Sequence, residues 1–270
     1  MDFMSFVLYF FVFVLGLCVG SFLNVVIFRL KILNFSKRKN LRKKNRSQCP
    51  KCNHQLNWQD LFPVFSFLFL RGKCRYCKEK ISWQYPLVEL ATGIIFLLVF
   101  FAQSSPVFNG NFLNVLNLIF LFYIVSVLII IFVYDLKHYI IPDKILFPAI
   151  AITFFYQLFF NFALIGNYLI AVLVGAGFFL IIFFVSRGMA MGFGDVKLAI
   201  LMGLLLGFPN ILTALFLAFF FGVIISIILI IFYGKKMKSE IPFGPFLVLG
   251  TFLALFWGTG IINWYLTFFI

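Results

Sequence analysis

Met191-Gly-Phe-Gly-Asp-Val-Lys-Leu198 (MGFGDVKL) lies between two apolar runs, Tyr168–Val185 and Leu198–Phe208. A carboxylate this close to a membrane span is costly, so Asp195 marks a functional site before a structural one. Gly192 and Gly194 remove side chains on both sides of Phe193. The backbone there is free to turn sharply, and a substrate is free to approach Asp195. GxGD alone is a weak signal. It gains weight from a second carboxylate at the same membrane depth, and Asp135, at the end of the apolar run Asn114–Tyr134, is the candidate.

The composition fixes the class. Of 270 residues, 64% are hydrophobic and 11% charged, which no soluble domain of this size matches. The chain reads as an all-α polytopic membrane protein of about eight transmembrane helices, each needing about 20 residues to cross. The expected spans are Phe3–Phe28, Pro86–Ala102, Asn114–Tyr134, Ile145–Phe160, Tyr168–Val185, Leu198–Phe208, Ile211–Tyr233 and Phe246–Phe269. The sixth is short, so it reads as tilted or partly re-entrant. The N-terminus has no early basic region and no convincing cleavage site, so the first span reads as retained. Three segments result: a first transmembrane helix over 1–30, a basic loop with a small cysteine-rich cytoplasmic domain over 31–85, and a transmembrane catalytic domain over 86–270.

A formal net charge of +14 raises nucleic acid as a partner, but the distribution argues for a membrane instead. Fifteen of the 22 Lys and Arg fall between Arg29 and Lys80. Arg29–Arg46 has no aromatic stacking pattern and reads as a solvated stretch beside anionic lipid. With the cysteine-rich loop in the cytoplasm, the inside segments are 29–85, 135–144, 186–197 and 234–245, and they hold all 22 cations. That is the positive-inside pattern. It puts Asp135 and Asp195 on the same cytoplasmic face.

Cys49-Pro-Lys-Cys52 and Cys74-Arg-Tyr-Cys77 are separated by 21 residues. Two CxxC pairs at this spacing are a strong zinc signal, since four thiolates satisfy a tetrahedral ion. Lys51, Lys73 and Arg75 would stabilise the thiolates. A redox dithiol and an iron–sulfur cluster are the alternatives. Four cysteines make His54 unnecessary as a ligand and leave the metal no open position, so its expected role is structural. Leu61–Leu70 (LFPVFSFLFL) is too short to span. It either folds onto the cysteine knuckles or lies in the membrane interface.

Other polar residues are weighed against simple packing. Gly16 and Gly20 form a small-xxx-small pair that lets another helix approach. Asn24 hydrogen-bonds across helices or faces a site. Cys18 reads as a small buried hydrophobe. Glu89, near the start of the second span, is either a paired carboxylate or a group facing a ligand. Pro142 starts a helix well and places Asp143 in its first turn, where a carboxylate complements the helix dipole. Asp143 is thus explained structurally and Asp135 is not. His138 reads as a headgroup-level polar residue.

Two aspartates close together in a low-dielectric site share a proton, so one serves as base and the other as acid. Such a pair activates water against a peptide carbonyl and protonates the leaving nitrogen. The expected dyad is Asp135 and Asp195, with Gly192, Gly194, Asp143 and Lys197 supporting the catalytic loops. The competing class is a transporter or channel with a zinc-stabilised cytoplasmic domain, because intramembrane carboxylates also relay protons. Against it stand the position of both carboxylates at one face and the lack of an inverted repeat.

Gly20-Ser-Phe-Leu-Asn-Val-Val-Ile-Phe-Arg29, the two CxxC pairs, Ile81-Ser-Trp-Gln-Tyr-Pro-Leu-Val-Glu89, Asp135 to Asp143 and Gly192–Leu198 together resemble the bacterial type IV prepilin peptidases over nearly the whole chain. The resemblance implies catalytic aspartates at Asp135 and Asp195 and zinc ligands at Cys49, Cys52, Cys74 and Cys77. It implies prepilin or pseudopilin substrates whose basic leader is cut at the cytoplasmic face of the bacterial inner membrane. It also implies N-methylation of the new terminus by S-adenosylmethionine, for which Glu89 and Asn24 are candidate site residues. The basic run Lys37–Arg46 looks like a local elaboration. It suits anionic lipid better than a basic leader, which like charge repels.

Overall fold

The computed structural model describes residues 3–35, 47–108, 112–189, 191–233 and 241–268. The basic run Lys37–Arg46 and Lys235, Lys236 and Lys238 lie outside the described residues. The described chain is helical, with α1 (Phe3–Phe35), a one-turn α2 (Phe65–Phe69), α3 (Gln84–Phe108), α4 (Phe112–His138), α5 (Asp143–Phe160), α6 (Ile165–Val185), α7 (Phe193–Leu206), α8 (Asn210–Tyr233) and α9 (Gly244–Leu266). Among the described residues seven helices are long and apolar enough to cross a membrane: α1, α3, α4, α5, α6, α8 and α9. Apolar residues surround these helices on all sides, as lipid requires. Three helices outrun their expected ends. α1 continues to Phe35, α3 to Phe108, and α4 to His138, which draws Asp135 into its last turn.

The chain divides into two compact units, Met1–Ile130 and Ile131–Ile270. In the first, α1 and α3 run antiparallel along a seam of small residues. A Cβ added at Gly16 would lie 2.7 Å from the Gly93 Cα, and one at Gly20 would lie 2.7 Å from the Glu89 Cα. The expected small-xxx-small contact is therefore the place where the two backbones meet. Cys18, expected to be buried, is exposed on α1. Its neighbours Leu17 and Gly20 take the seam, which turns residue 18 outward.

In the second unit α7 is the most enclosed helix, buried from Asp195 to Leu206 except at Lys197 and Ile200. Its Gly203 lies against the Val172 backbone of α6, where a Cβ would have 2.7 Å. α8 and α9 meet at Gly250, which rests on the Ala214 carbonyl. At 1.5 Å per residue, 14 residues make α7 about 21 Å long, short for a bilayer. Side chains from its neighbours complete its far end. Gln157 donates to the Leu204 carbonyl at 2.9 Å. Asn167 accepts from the Phe208 N–H and donates to the Phe208 carbonyl, both at 2.8 Å. Gln157 and Asn167 sit at the end of α5 and the start of α6, so α7 runs the same course as those helices. The short sixth segment is thus an enclosed helix closed by polar side chains, and it is the one of the eight expected spans that is not among the seven helices long enough to cross.

Candidate active site and metal centre

The near end of the second unit gathers the starts of α5, α7 and α9 and the end of α4. Asp135 and Asp195 are both buried there, at 4% and 8% exposure. They are close enough for the charge on one to act on the other. Asp195 occupies the first turn of α7, where helix N–H groups favour a carboxylate. Gly192 is the N-cap, in extended backbone, and its carbonyl accepts the Asp195 N–H at 3.2 Å. The glycine-flanked turn expected around Phe193 is thus a helix start.

Gly244 faces Asp135. Its backbone N–H hydrogen-bonds the carboxylate, and a Cβ in its place would lie 2.5 Å from Oδ2. Ile141 closes the group. A Cβ at Gly194 would meet the Ile141 Cβ at 3.2 Å, and one at Gly244 would meet its Cδ1 at 3.4 Å. Gly244 therefore leaves room for the Asp135 carboxylate, and Ile141 packs against both glycines. Among the described residues neither carboxylate has a salt-bridge partner.

Asp143 follows the N-cap Pro142, in the first turn of α5. Lys197, two residues after Asp195, pairs with Asp143 instead, at 2.8 and 3.0 Å to its two oxygens. The ammonium also lies over the rings of Phe147 and Phe193, 5.1 and 5.4 Å from their centroids. This clamp ties the start of α7 to the start of α5. The His138 ring lies 4.7 Å from that of Tyr134.

The first unit carries the four cysteines. All four sulfurs lie within 4.8 Å of one another, and Cys49 and Cys77 are 3.9 Å apart. Tetrahedral zinc with 2.3 Å bonds needs sulfurs about 3.8 Å apart. The cluster fits the ion. The two knuckles are built alike. The Cys49 N–H donates to the His54 carbonyl and the Cys74 N–H to the Glu79 carbonyl. Gln48 bridges Gln55, and Lys73 bridges Lys80. Asn53 and Lys78 take the same left-handed conformation, at φ 57° and 59°. Burial opposes the Cys49 thiolate, but the N–H groups of Cys52 and Lys51 and the adjacent sulfurs outweigh it and bring its pKa down to about 7. Cys77 is pushed up to about 11: the Glu79 N–H favours its thiolate, but burial and the three other sulfurs prevail. His54 stacks on Tyr76, with centroids 3.7 Å apart, and stays outside the sulfur cluster.

Asn24 and Glu89 lie on the α1–α3 seam and are both buried. Asn24 donates to the Tyr85 and Gly20 carbonyls at 3.2 and 3.3 Å and accepts from Gln84 at 3.1 Å. Glu89 accepts the Val64 N–H at 2.8 Å and bonds the Ser21 side chain.

Residues 14–103 match the bacterial peptidase A24 N-terminal domain, and residues 119–227 match the type IV leader peptidase family. A prepilin leader peptidase/N-methyltransferase of Aeromonas salmonicida is 32% identical, covering 95% of this chain and 93% of that one. The chain belongs to the type IV leader peptidase family. An enzyme of the same name from Legionella pneumophila is 32% identical over 93% of this chain and 92% of its own length. One from Pseudomonas aeruginosa is 29% identical over 94% and 92%. No solved structure matches the chain.

Membership in the leader peptidase family sets aside the transporter reading. The first match holds the cysteines, Asn24 and Glu89, and the second holds Asp135, Asp143, Asp195 and Lys197. Gly244 lies beyond both. Gly244 and Ile141 belong to no expected site in the sequence: Gly244 falls at the end of the inside segment 234–245, and Ile141 between Asp135 and Asp143. The available signal was a glycine opening a span on the face that holds both aspartates.

Proposed function

We propose that this leader peptidase family member cleaves the basic leader from type IV prepilins or pseudopilins at the cytoplasmic face of the bacterial inner membrane, with Asp135 and Asp195 as its dyad. The observation that carries the reading is the pair of buried carboxylates, within reach of each other's charge, with Gly244 against Asp135 and both Gly244 and Gly194 packed on Ile141. Two such groups hold one proton between them. The ionised carboxylate takes a proton from water as its oxygen attacks the scissile carbonyl. The protonated one stabilises the resulting oxyanion. A proton then passes to the leaving amine as the C–N bond breaks. The Gly244 N–H orients Asp135, and the Lys197–Asp143 clamp sets the position of the α7 start. The positive-inside distribution supports the cytoplasmic placement.

Zinc, held by Cys49, Cys52, Cys74 and Cys77, would fix the two knuckles without entering the reaction, since four thiolates fill its coordination shell. N-methylation by S-adenosylmethionine is proposed from the relatives' names. Asn24 and Glu89 spend their polar groups on partners inside the first unit, an arrangement that fits fastening better than methyl-donor binding, and no step is assigned to them.

The test uses purified protein in lipid with a prepilin-like substrate, following leader loss and terminal methylation by mass. Asp135→Asn and Asp195→Asn should abolish cleavage while the protein stays folded, and Asp143→Asn should retain it. Normal cleavage by either dyad variant would refute the assignment. Methylation of a pre-cleaved substrate by the dyad variants would show a separate second site.

A further inference from the structure

The segment between the two cysteine knuckles presents more apolar surface than the knuckles need. Trp58, Phe62, Phe65, Leu68 and Phe69 are 71%, 54%, 54%, 62% and 84% exposed. Trp58, Phe62, Phe65 and Phe69 line a groove of about 530 Å³, with Arg75 at its edge. Only Phe67 of α2 turns inward, where its ring meets Trp83 at 4.9 Å.

The depth of this segment is set by its fastening. The Val64 N–H is bound by Glu89, and Glu89 lies five residues inside the apolar span that opens at Gln84. At 1.5 Å per residue that is about 7 Å below the start of the span. Glutamate leans back toward its helix N-terminus, which returns part of that depth, so Val64 is level with the outermost turns of α3. On α1 the same level is Gly20, which abuts Glu89. The apolar span of α1 continues ten residues past it, to Leu30. Trp83, 68% exposed beside the opening of α3, is the residue type that marks a bilayer boundary. The exposed aromatic side chains of α2 and the turn before it therefore sit where lipid headgroups meet acyl chains. Charge agrees: residues 47–83 hold six Lys and Arg against Asp60 and Glu79, as suits an anionic leaflet.

We propose that Trp58–Leu70 is a monotopic membrane wedge. It would insert its aromatic side chains into the interface of an anionic leaflet and moor the cysteine knuckles to the membrane surface. The ligand is the lipid surface itself. The proposal rests on the membrane-spanning character of α1 and α3 and not on the dyad, so it stands or falls apart from the cleavage assay.

The test places a nitroxide on Phe69→Cys in a Cys18→Ser background with the zinc cysteines loaded. The same label on Gln55→Cys, at the knuckle, is the control. In liposomes containing phosphatidylglycerol, relaxation at residue 69 by oxygen should exceed that by an aqueous nickel chelate several-fold, and residue 55 should show the reverse. A nickel-dominated signal at residue 69 would overturn the proposal. So would a label that is mobile in lipid and becomes immobilised only on adding a prepilin-like peptide, which would make the groove a substrate site. Phe69 is a surface side chain, so its loss spares the fold. As a second measurement, dibrominated lipids should quench Trp58 emission in a Trp83→Phe, Trp257→Phe, Trp264→Phe protein. Quenching by aqueous acrylamide alone would refute insertion.

Discussion

The two units treat buried polar groups in opposite ways. On the α1–α3 seam, Asn24 makes three hydrogen bonds, and Glu89 holds Val64 and Ser21. At the near end of the second unit, Asp135 and Asp195 are as deeply buried, yet backbone N–H groups and each other's charge are what meets them. A buried polar group that spends its bonding capacity on its own protein stabilises a fold. One that keeps it is available to a substrate and to water. Sequence position alone puts Glu89 and Asp135 in one class, as carboxylates near span ends, and only their partners separate them.

The sharpest way to break this contrast is to remove the charge at each place. Asp195→Asn should lower leader cleavage by about 10³-fold or more with no loss of thermal stability. Glu89→Gln should do the reverse, leaving cleavage of a short leader peptide within a few-fold while exposing residues 47–83 to limited proteolysis. If Glu89→Gln abolished cleavage in a fully folded protein, the division would fail. Gly244→Ala sharpens the same point. Its methyl would collide with Asp135 Oδ2, and displacing a catalytic group by about 1 Å costs on the order of 10²-fold. Cleavage should fall by that much with helix content unchanged by circular dichroism.

Metal loading probes the knuckles. With Cys77 at about 11, zinc must displace its proton near neutral pH, whereas Cys49, at about 7, is already partly ionised. Zinc added to apo-protein at pH 7 should release protons in calorimetry, and affinity should fall as pH falls, because protons compete for the thiolates. Cys49→Ser should lower bound zinc well below one per chain by elemental analysis. The smallest effect is expected at Lys197→Met. Asp143 is half exposed, so the pair is worth about 0–1 kcal/mol, and cleavage should fall by about tenfold or less through misplacement of the α7 start.

Much of this was legible in the chain because it follows from composition and spacing. Long apolar runs with no polar face have only one home, and CxxC pairs have few uses. Asp195 could be ranked early because a lone carboxylate beside an apolar run is costly. The partners of each polar group were not legible. That Asn24 meets Tyr85, that Lys197 turns to Asp143, and that Gly244 lies over Asp135 are contacts between residues far apart in sequence. Periodicity carries no information about them. The expected end of α4, at Tyr134, falls short for a related reason: Asp135, Lys137 and His138 look like a loop by polarity, yet all lie in the last turn of the helix.

The brevity of α7 has a consequence for its register. A helix of 14 residues enclosed by its neighbours has its two ends matched to fixed partners. At the far end Gln157 and Asn167 hold Leu204 and Phe208 with three hydrogen bonds, and at the near end Lys197 is held by Asp143. A slip of one turn, about 5.4 Å, would break all of them at once. The helix that carries Asp195 is thereby indexed from both ends, like a rule clamped at two marks.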